Sequence, residues 1–168
     1  MQKYPKVALV MGSDSDFPKL KNGIKRLKEF GIEVDVNVIS AHRTPDLAAE
    51  FARSAEDNDV DLIIAAAGKA AHLAGVLAAH TVLPVIGIPI ESPPLGGLDA
   101  LLATVQMPPG IPVATVAIDG ADNAAILAAQ ILSLRYDELK FELRKLKNEM
   151  ARKVQEKNED IKGVAAEL

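Results

Sequence analysis

Short runs of β-branched and other apolar residues alternate along this chain with stretches rich in alanine and leucine at helical spacing. Lys6–Met11 reads as a strand, and the segment from about Phe17 to Phe30 as a helix, with Gly31 in the C′ position that helix ends favour. Glu33–Ile39 forms a second strand. Thr44 is expected as an N-cap with Pro45 at the first helical position, where its missing N–H is harmless, opening a helix to about Glu56. Asp61–Ala66 is the third strand, and its helix runs from about Ala70 to Ala79. Pro84–Ile90 is the fourth, followed by a Pro/Gly loop over Ser92–Gly97 and a helix near Leu98–Val105. Pro112–Ile118 is the fifth, before a helix over Ala121–Leu134.

Five alternations without a hairpin signal imply an α/β domain of three layers: a central parallel sheet of about five strands, right-handed crossovers, and helices on both faces. LIIAAA and VIGIPI lack polar alternation, as strands buried on both faces do, and are placed at the sheet's centre.

The last part of the chain differs in kind. From Tyr136 to about Glu156 the residues Leu139, Leu143, Leu146, Met150 and Val154 make one narrow apolar stripe on an otherwise charged helix. The division expected is an α/β domain over residues 1–134 and a helical extension over 135–168, packed on its own domain or on a neighbouring subunit. The helix NAAILAAQIL, apolar on nearly every face, favours burial between subunits and hence a closed homo-oligomer.

Composition narrows the chemistry. With 168 residues, 49 % hydrophobic and 25 % charged, the chain can bury one core and is no disordered polymer. A net charge of −4 is unlike the basic footprint of a nucleic-acid binder, so no nucleic acid is expected. Without cysteine there is no disulfide, catalytic thiolate or Cys-ligated metal. Aromatic residues are only 4 %, with no Trp, which argues against a flavin sandwich or a base-stacking platform. Nothing reads as a signal peptide or as the run of about 20 apolar residues that a membrane span needs, so a cytoplasmic protein is expected.

Ligands of open parallel sheets bind beyond the carboxyl ends of the strands. The polar residues there are Gly12-Ser13-Asp14-Ser15-Asp16 after the first strand, Ser40-Ala41-His42-Arg43-Thr44 after the second, and Ala67-Gly68-Lys69-Ala70-Ala71-His72 after the third. Neither a G-x-G-x-x-G fingerprint nor a P-loop is present. A serine-rich turn entering a helix can hold a phosphate through hydroxyls, free N–H groups and the helix dipole, or Ser13, Ser15 and Asp16 can simply cap that helix. Arg43 beside His42 shifts the balance toward a ligand, since guanidinium grips phosphate bidentately and imidazole moves a proton near neutral pH. His72 is either a second site histidine or structural. Lys69 is open between a solvated side chain and an anion ligand. His80, at a helix end, is assigned no chemistry. No spacing such as H-x-x-x-H supports a metal, so none is expected.

MGSDSD, SAHRTP, the AGxAAHLxG pattern of Ala67–Gly75, LPVIGIP and GLDALLATVQMPPGIPVATVAI together resemble the N5-carboxyaminoimidazole ribonucleotide mutases of purine biosynthesis, over about residues 6 to 134. The resemblance implies a flavodoxin-like fold, a homo-octamer and no metal or organic cofactor. It also implies conversion of N5-carboxyaminoimidazole ribonucleotide to its C4-carboxylated isomer. Ser13, Ser15, Asp16, Ser40 and Arg43 would then contact the ribotide, mostly through phosphate and ribose. His42 would transfer the proton, with His72 as the second catalytic candidate. Ala67, Gly68, Ala70, Ala71, His72 and Leu73 would line the pocket for CO2 and the base, and Ala41 and Lys69 join the ligand-facing positions. Residues Ser92–Gly97 and Gln106-Met107-Pro108 would cover the site.

Two positions depart from the family pattern: Lys69 stands where glycine is common, and Ala74 where proline is common. The related carboxylases, which use free CO2 and aminoimidazole ribonucleotide, carry a basic residue at the position of Lys69, in a pattern like AGRSN. Ala70, Ala71 and His72 follow the mutase pattern, so the mutase is expected and the carboxylase is the alternative. A non-catalytic flavodoxin-like or receiver-like module is the third reading. Against it stand Ala67 and Gly68 where a receiver needs an acceptor aspartate, and loops whose only aromatic is Phe17.

Overall fold

The computed structural model describes residues 4–167. Five strands, β1 (Lys6–Met11), β2 (Glu33–Val38), β3 (Leu62–Gly68), β4 (Val85–Ile90) and β5 (Ala114–Thr115), form one parallel sheet in the order β2-β1-β3-β4-β5. Six helices accompany them: α1 (Phe17–Glu29), α2 (Pro45–Ser54), α3 (Leu73–Ala78), α4 (Leu98–Val105), α5 (Ala121–Leu132) and α6 (Glu138–Ala166). The order is the doubly wound, flavodoxin-like one, in which winding reverses between β1 and β3 and opens a crevice beyond their carboxyl ends.

The period-2 alternation of strands sorts the core into two layers. Leu9, Met11, Ile64, Ala66, Ile86 and Ile88 face α1, α5 and the start of α6, while Ala8, Val10, Ile63 and Ala65 face α2 and α3. Both faces of β3 and β4 are covered, as their unbroken apolar runs anticipate. A methyl group on Gly23 of α1 would lie 2.6 Å from the Ala121 carbonyl oxygen, so the absence of a side chain there is what lets α1 lie against α5. At the end of α1 the Gly31 N–H donates to Lys28 O and the Ile32 N–H to Leu27 O, with Gly31 at φ +74°. This is the Schellman arrangement expected at that glycine.

Three local readings are corrected, and the course of the last helix, open beyond Glu156, is added. The fifth strand was expected over Pro112–Ile118, but only Ala114 and Thr115 pair with β4, because Pro112 has no N–H to offer and the segment lies at the sheet edge. α3 starts at Leu73, not near Ala70, because Lys69 adopts φ +56° and the Ala71 N–H turns back to Lys69 O at 2.8 Å. Thr44 precedes α2 but its hydroxyl does not cap the helix; it donates to Ser40 O and accepts the Ser40 N–H, closing the turn before the helix. The last helix continues ten residues past Glu156, to Ala166, where pairs such as Arg152–Glu156 and Lys162–Glu159 line an exposed surface.

α5 finds much of its cover within the chain. Ala121, Ala124, Ala125, Ala128, Ala129 and Leu132 are buried in the layer shared with α1 and α6. α6 is anchored at its start, where Leu139 is buried and Leu143 and Leu146 pack on the same layer. Just ahead of it the Tyr136 hydroxyl donates to the Asp61 carboxylate, which also accepts the Lys6 N–H and pairs with Arg135. Farther along, Met150, Val154, Ile161 and Val164 are exposed. Among the described residues no helix is long and apolar enough to cross a membrane.

Candidate active site

The loops after β1, β2 and β3 meet over the crevice and, with the start of the loop after β4, enclose a cavity of about 740 Å³. Its walls carry Ser13, Ser15, Asp16, Ser40, Ala41, His42, Arg43, Ala67, Gly68, Lys69, Ala70, His72 and Leu73, so these candidates named from the sequence are brought together there, whereas Ala71, also expected to line the pocket, is not among them. Ala71 is buried behind this wall.

The first loop turns tightly at Asp14–Asp16 before α1 begins. The Ser13 hydroxyl accepts the Ser15 N–H at 3.3 Å and the Ser15 hydroxyl at 2.9 Å. Ser13 therefore does cap this short turn, whereas Asp16, at the start of α1, makes no capping bond. Burial pushes the Asp16 carboxyl above the ordinary carboxylate range, and the Ser15 hydroxyl and Lys19 only partly oppose it.

Arg43 stitches the second loop to the first. Its backbone N–H and Nε both donate to Ser40 Oγ, and Nη2 donates to Gly12 O at 3.1 Å. Neutral acceptors thus orient the guanidinium without neutralising it. His42 turns to the third loop, where its Nε2 lies 2.9 Å from His72 Nδ1 with the rings nearly perpendicular. At that distance one hydrogen sits between the two nitrogens, so the tautomer of one imidazole is tied to that of the other.

Small residues form the β3 side. A methyl group on Gly68 would come within 3.3 Å of Ile90 O and 3.5 Å of Ser92 Oγ, a hydroxyl buried without a hydrogen-bond partner among the described residues.

Three lining residues escaped sequence reasoning: Lys19, Ile90 and Glu91. Lys19 Nζ donates to Asp119 Oδ2 at 2.7 Å and to Glu91 O at 3.0 Å, while Asp119 Oδ1 accepts the Glu91 N–H. The bond to Asp119 holds the Lys19 ammonium above its ordinary pKa. Extending the strand-end rule to the fourth strand would have found Glu91; nothing local marks Lys19, whose partner is 100 residues away. Of the expected covering segments, Ser92 and Pro93 line the cavity; residues 94–97 and 106–108 do not. Among the described residues, no three His, Asp or Glu side chains gather as a metal site.

Residues 6–153 match the family model described as AIR carboxylase. The chain is 58 % identical to the N5-carboxyaminoimidazole ribonucleotide mutase of Pyrococcus abyssi, over 88 % of this chain and 85 % of that protein. It is 49 % identical to the Thermotoga maritima protein of the same name, over 95 % and 94 %. A crystal structure of Treponema denticola PurE superposes with a TM-score of 0.85 at 31 % identity, covering 93 % of this chain and 98 % of that one. The type II dehydroquinase of Propionibacterium acnes, at 12 % identity and a TM-score of 0.51, shares the fold alone. A match of this length, carried by a chain whose strand-end loops converge on one cavity, places the protein in the AIR carboxylase family.

Proposed function

We propose that this chain isomerises N5-carboxyaminoimidazole ribonucleotide to 4-carboxy-5-aminoimidazole ribonucleotide, a step of purine biosynthesis. The observation that carries the reading is the juxtaposition of His42, paired to His72, with the Arg43–Ser40 anion grip at the switch point of the sheet. The reaction itself comes from the relatives, which bear the mutase name at 44 to 58 % identity over most of their length.

The isomerisation moves one carboxylate from nitrogen to carbon and one proton from that carbon to nitrogen. Ser13, Ser15, Ser40 and Arg43 hold the phosphate, and Asp16 accepts hydrogen bonds from the ribose. The N–C bond breaks with its electron pair left on nitrogen, which takes a proton, and CO2 departs into the pocket of Ala41, Ala67, Gly68, Ala70 and Leu73. The ring carbon then attacks CO2 and sheds its proton. One group that gives a proton and takes one back closes the cycle, and His42 is placed to be that group, with His72 fixing its tautomer. No metal or organic cofactor is needed in this scheme.

The working form is a homo-octamer in the cytoplasm, with residues 1–134 as the catalytic domain and 135–168 as an extension contributing to assembly. The exposed Leu98, Leu102 and Val105 on α4 and Val154, Ile161 and Val164 on α6 support an assembled state. The alternative within the family is carboxylation of aminoimidazole ribonucleotide by free CO2. Mixing purified protein with the N5-carboxylated ribotide in bicarbonate-free buffer separates them. Isomerisation supports the proposal; activity only on aminoimidazole ribonucleotide plus CO2 reverses it.

A further inference from the structure

Three residues other than glycine hold a positive φ among the described residues: Asp59, Lys69 and Asp119. Aspartate tolerates that region, and Asp119 uses it to receive both Lys19 and the Glu91 N–H. A lysine gains no such local bond, so its strain calls for another explanation, and strained residues concentrate at functional sites. Lys69 has a structural effect, since its conformation sets the turn that delivers His72 to His42. Glycine would make the same turn without strain, so the turn does not account for a lysine side chain.

The side chain lines the cavity, is exposed, and has no hydrogen-bond or ion-pair partner among the described residues. Of the other two cations there, Lys19 is paired with Asp119 and Glu91, and Arg43 lies at the junction of the first two loops, where its remaining N–H groups serve the phosphate. Lys69 sits on the third loop instead, with the small-residue wall and His72. On the reading given above, the substrate is anionic at both ends, phosphate at one and carboxylate at the other.

We propose that Lys69 tightens this chain's site on carboxylated ribotides, its ammonium pairing with the carboxylate that aminoimidazole ribonucleotide lacks, over and above the binding that relatives with glycine at this position achieve without it. The inference rests on the mutase reading. The carboxylate is present in substrate and product and absent from the neutral CO2 between them, so Lys69 acts on binding at both ends of the reaction and leaves the proton transfer to His42.

The test compares K69G, K69M and K69R with the wild type, using binding of 4-carboxy-5-aminoimidazole ribonucleotide and of 5-aminoimidazole ribonucleotide, plus isomerisation kinetics. Glycine removes the charge and the strain together, methionine removes the charge alone, and arginine keeps the charge. K69G and K69M should each weaken the carboxylated ligand about tenfold, the size of one charge-assisted hydrogen bond at a half-open site, and leave the uncarboxylated ligand within about twofold. KM for isomerisation rises with the same factor while kcat does not fall, K69R restores discrimination, and K69G melts above the wild type. Added salt erodes the discrimination of the wild type and not that of K69G. Unchanged discrimination in K69G and K69M, or equal loss of both ligands, overturns the inference. A wild-type chain that fails to isomerise overturns the underlying reading, and is seen before any variant is compared.

Discussion

Replacing Arg43 by lysine separates the grip on the phosphate from the chemistry. Nη2 donates to Gly12 O at 3.1 Å and Nε to Ser40 Oγ at 3.4 Å, so two of the five guanidinium N–H groups tie the first two loops together and three are left for an anion. An ammonium concentrates its donors at one point and cannot span both loops while holding two phosphate oxygens. Loss of one charge-assisted hydrogen bond costs about 1.5 to 3 kcal/mol, which is about tenfold to about a hundredfold in KM. The phosphate is remote from the bonds that change, so it is held alike in ground and transition states and kcat stays within about threefold. Steady-state isomerisation kinetics give both constants, and competition by ribose 5-phosphate should weaken in parallel with KM. An R43K enzyme with an unchanged KM and a collapsed kcat would refute the reasoning and move Arg43 to the reacting centre.

Other substitutions probe separate parts of the account. H42N should lower kcat by about a hundredfold or more while the C4-carboxylated product still binds within a few-fold; retained turnover removes His42 from proton transfer. G23A forces α1 away from the Ala121 carbonyl and should lower unfolding stability by about 1 to 2 kcal/mol in urea titrations, the overpacking cost less the helix-propensity gain of alanine. A G23A chain as stable as the wild type contradicts the close approach of α1 and α5. Because burial raises the Asp16 pKa, the folded chain holds that proton more tightly than the unfolded chain, so this group's contribution falls as pH rises from the ordinary carboxylate range through the raised value. The melting temperature of D16N relative to wild type should therefore climb across that acidic window and level off above it; a pH-independent difference contradicts the assignment.

Hydrophobic patterning made β1 to β4, α1 and α4 legible to within a residue or two: β1, β3 and β4 are apolar runs buried almost throughout, α1 buries the stripe Leu20, Gly23 and Leu27, and β2, though half-exposed, keeps a β-branched alternation. The edges were not legible. β5 is cut short by Pro112 and by its place beyond β4, and α3 starts late because Lys69 takes a backbone conformation that nothing in its residue type announces. The continuation of α6 past Glu156 was not legible because its apolar stripe thins there while charged pairs continue along the helix. At the site, the strand-end rule located the three loops that meet over the cavity, and most residues named on them line it, Asp14, Thr44 and Ala71 being the exceptions. Lys19 and Glu91 escaped because a bond between residues 19 and 119 exists only once α1 and the segment after β5 are packed together.

The central claim is that CO2 released from nitrogen is held among the alanines and glycine beside His42 until the ring carbon recaptures it. Presenting the enzyme with N5-carboxyaminoimidazole ribonucleotide labelled in the carboxylate carbon, in excess unlabelled bicarbonate, tests this directly. The account predicts that the label is recovered in the C4 carboxylate of the product. Product carrying the carbon of the bicarbonate pool instead would contradict it and identify an enzyme that takes its CO2 from solution.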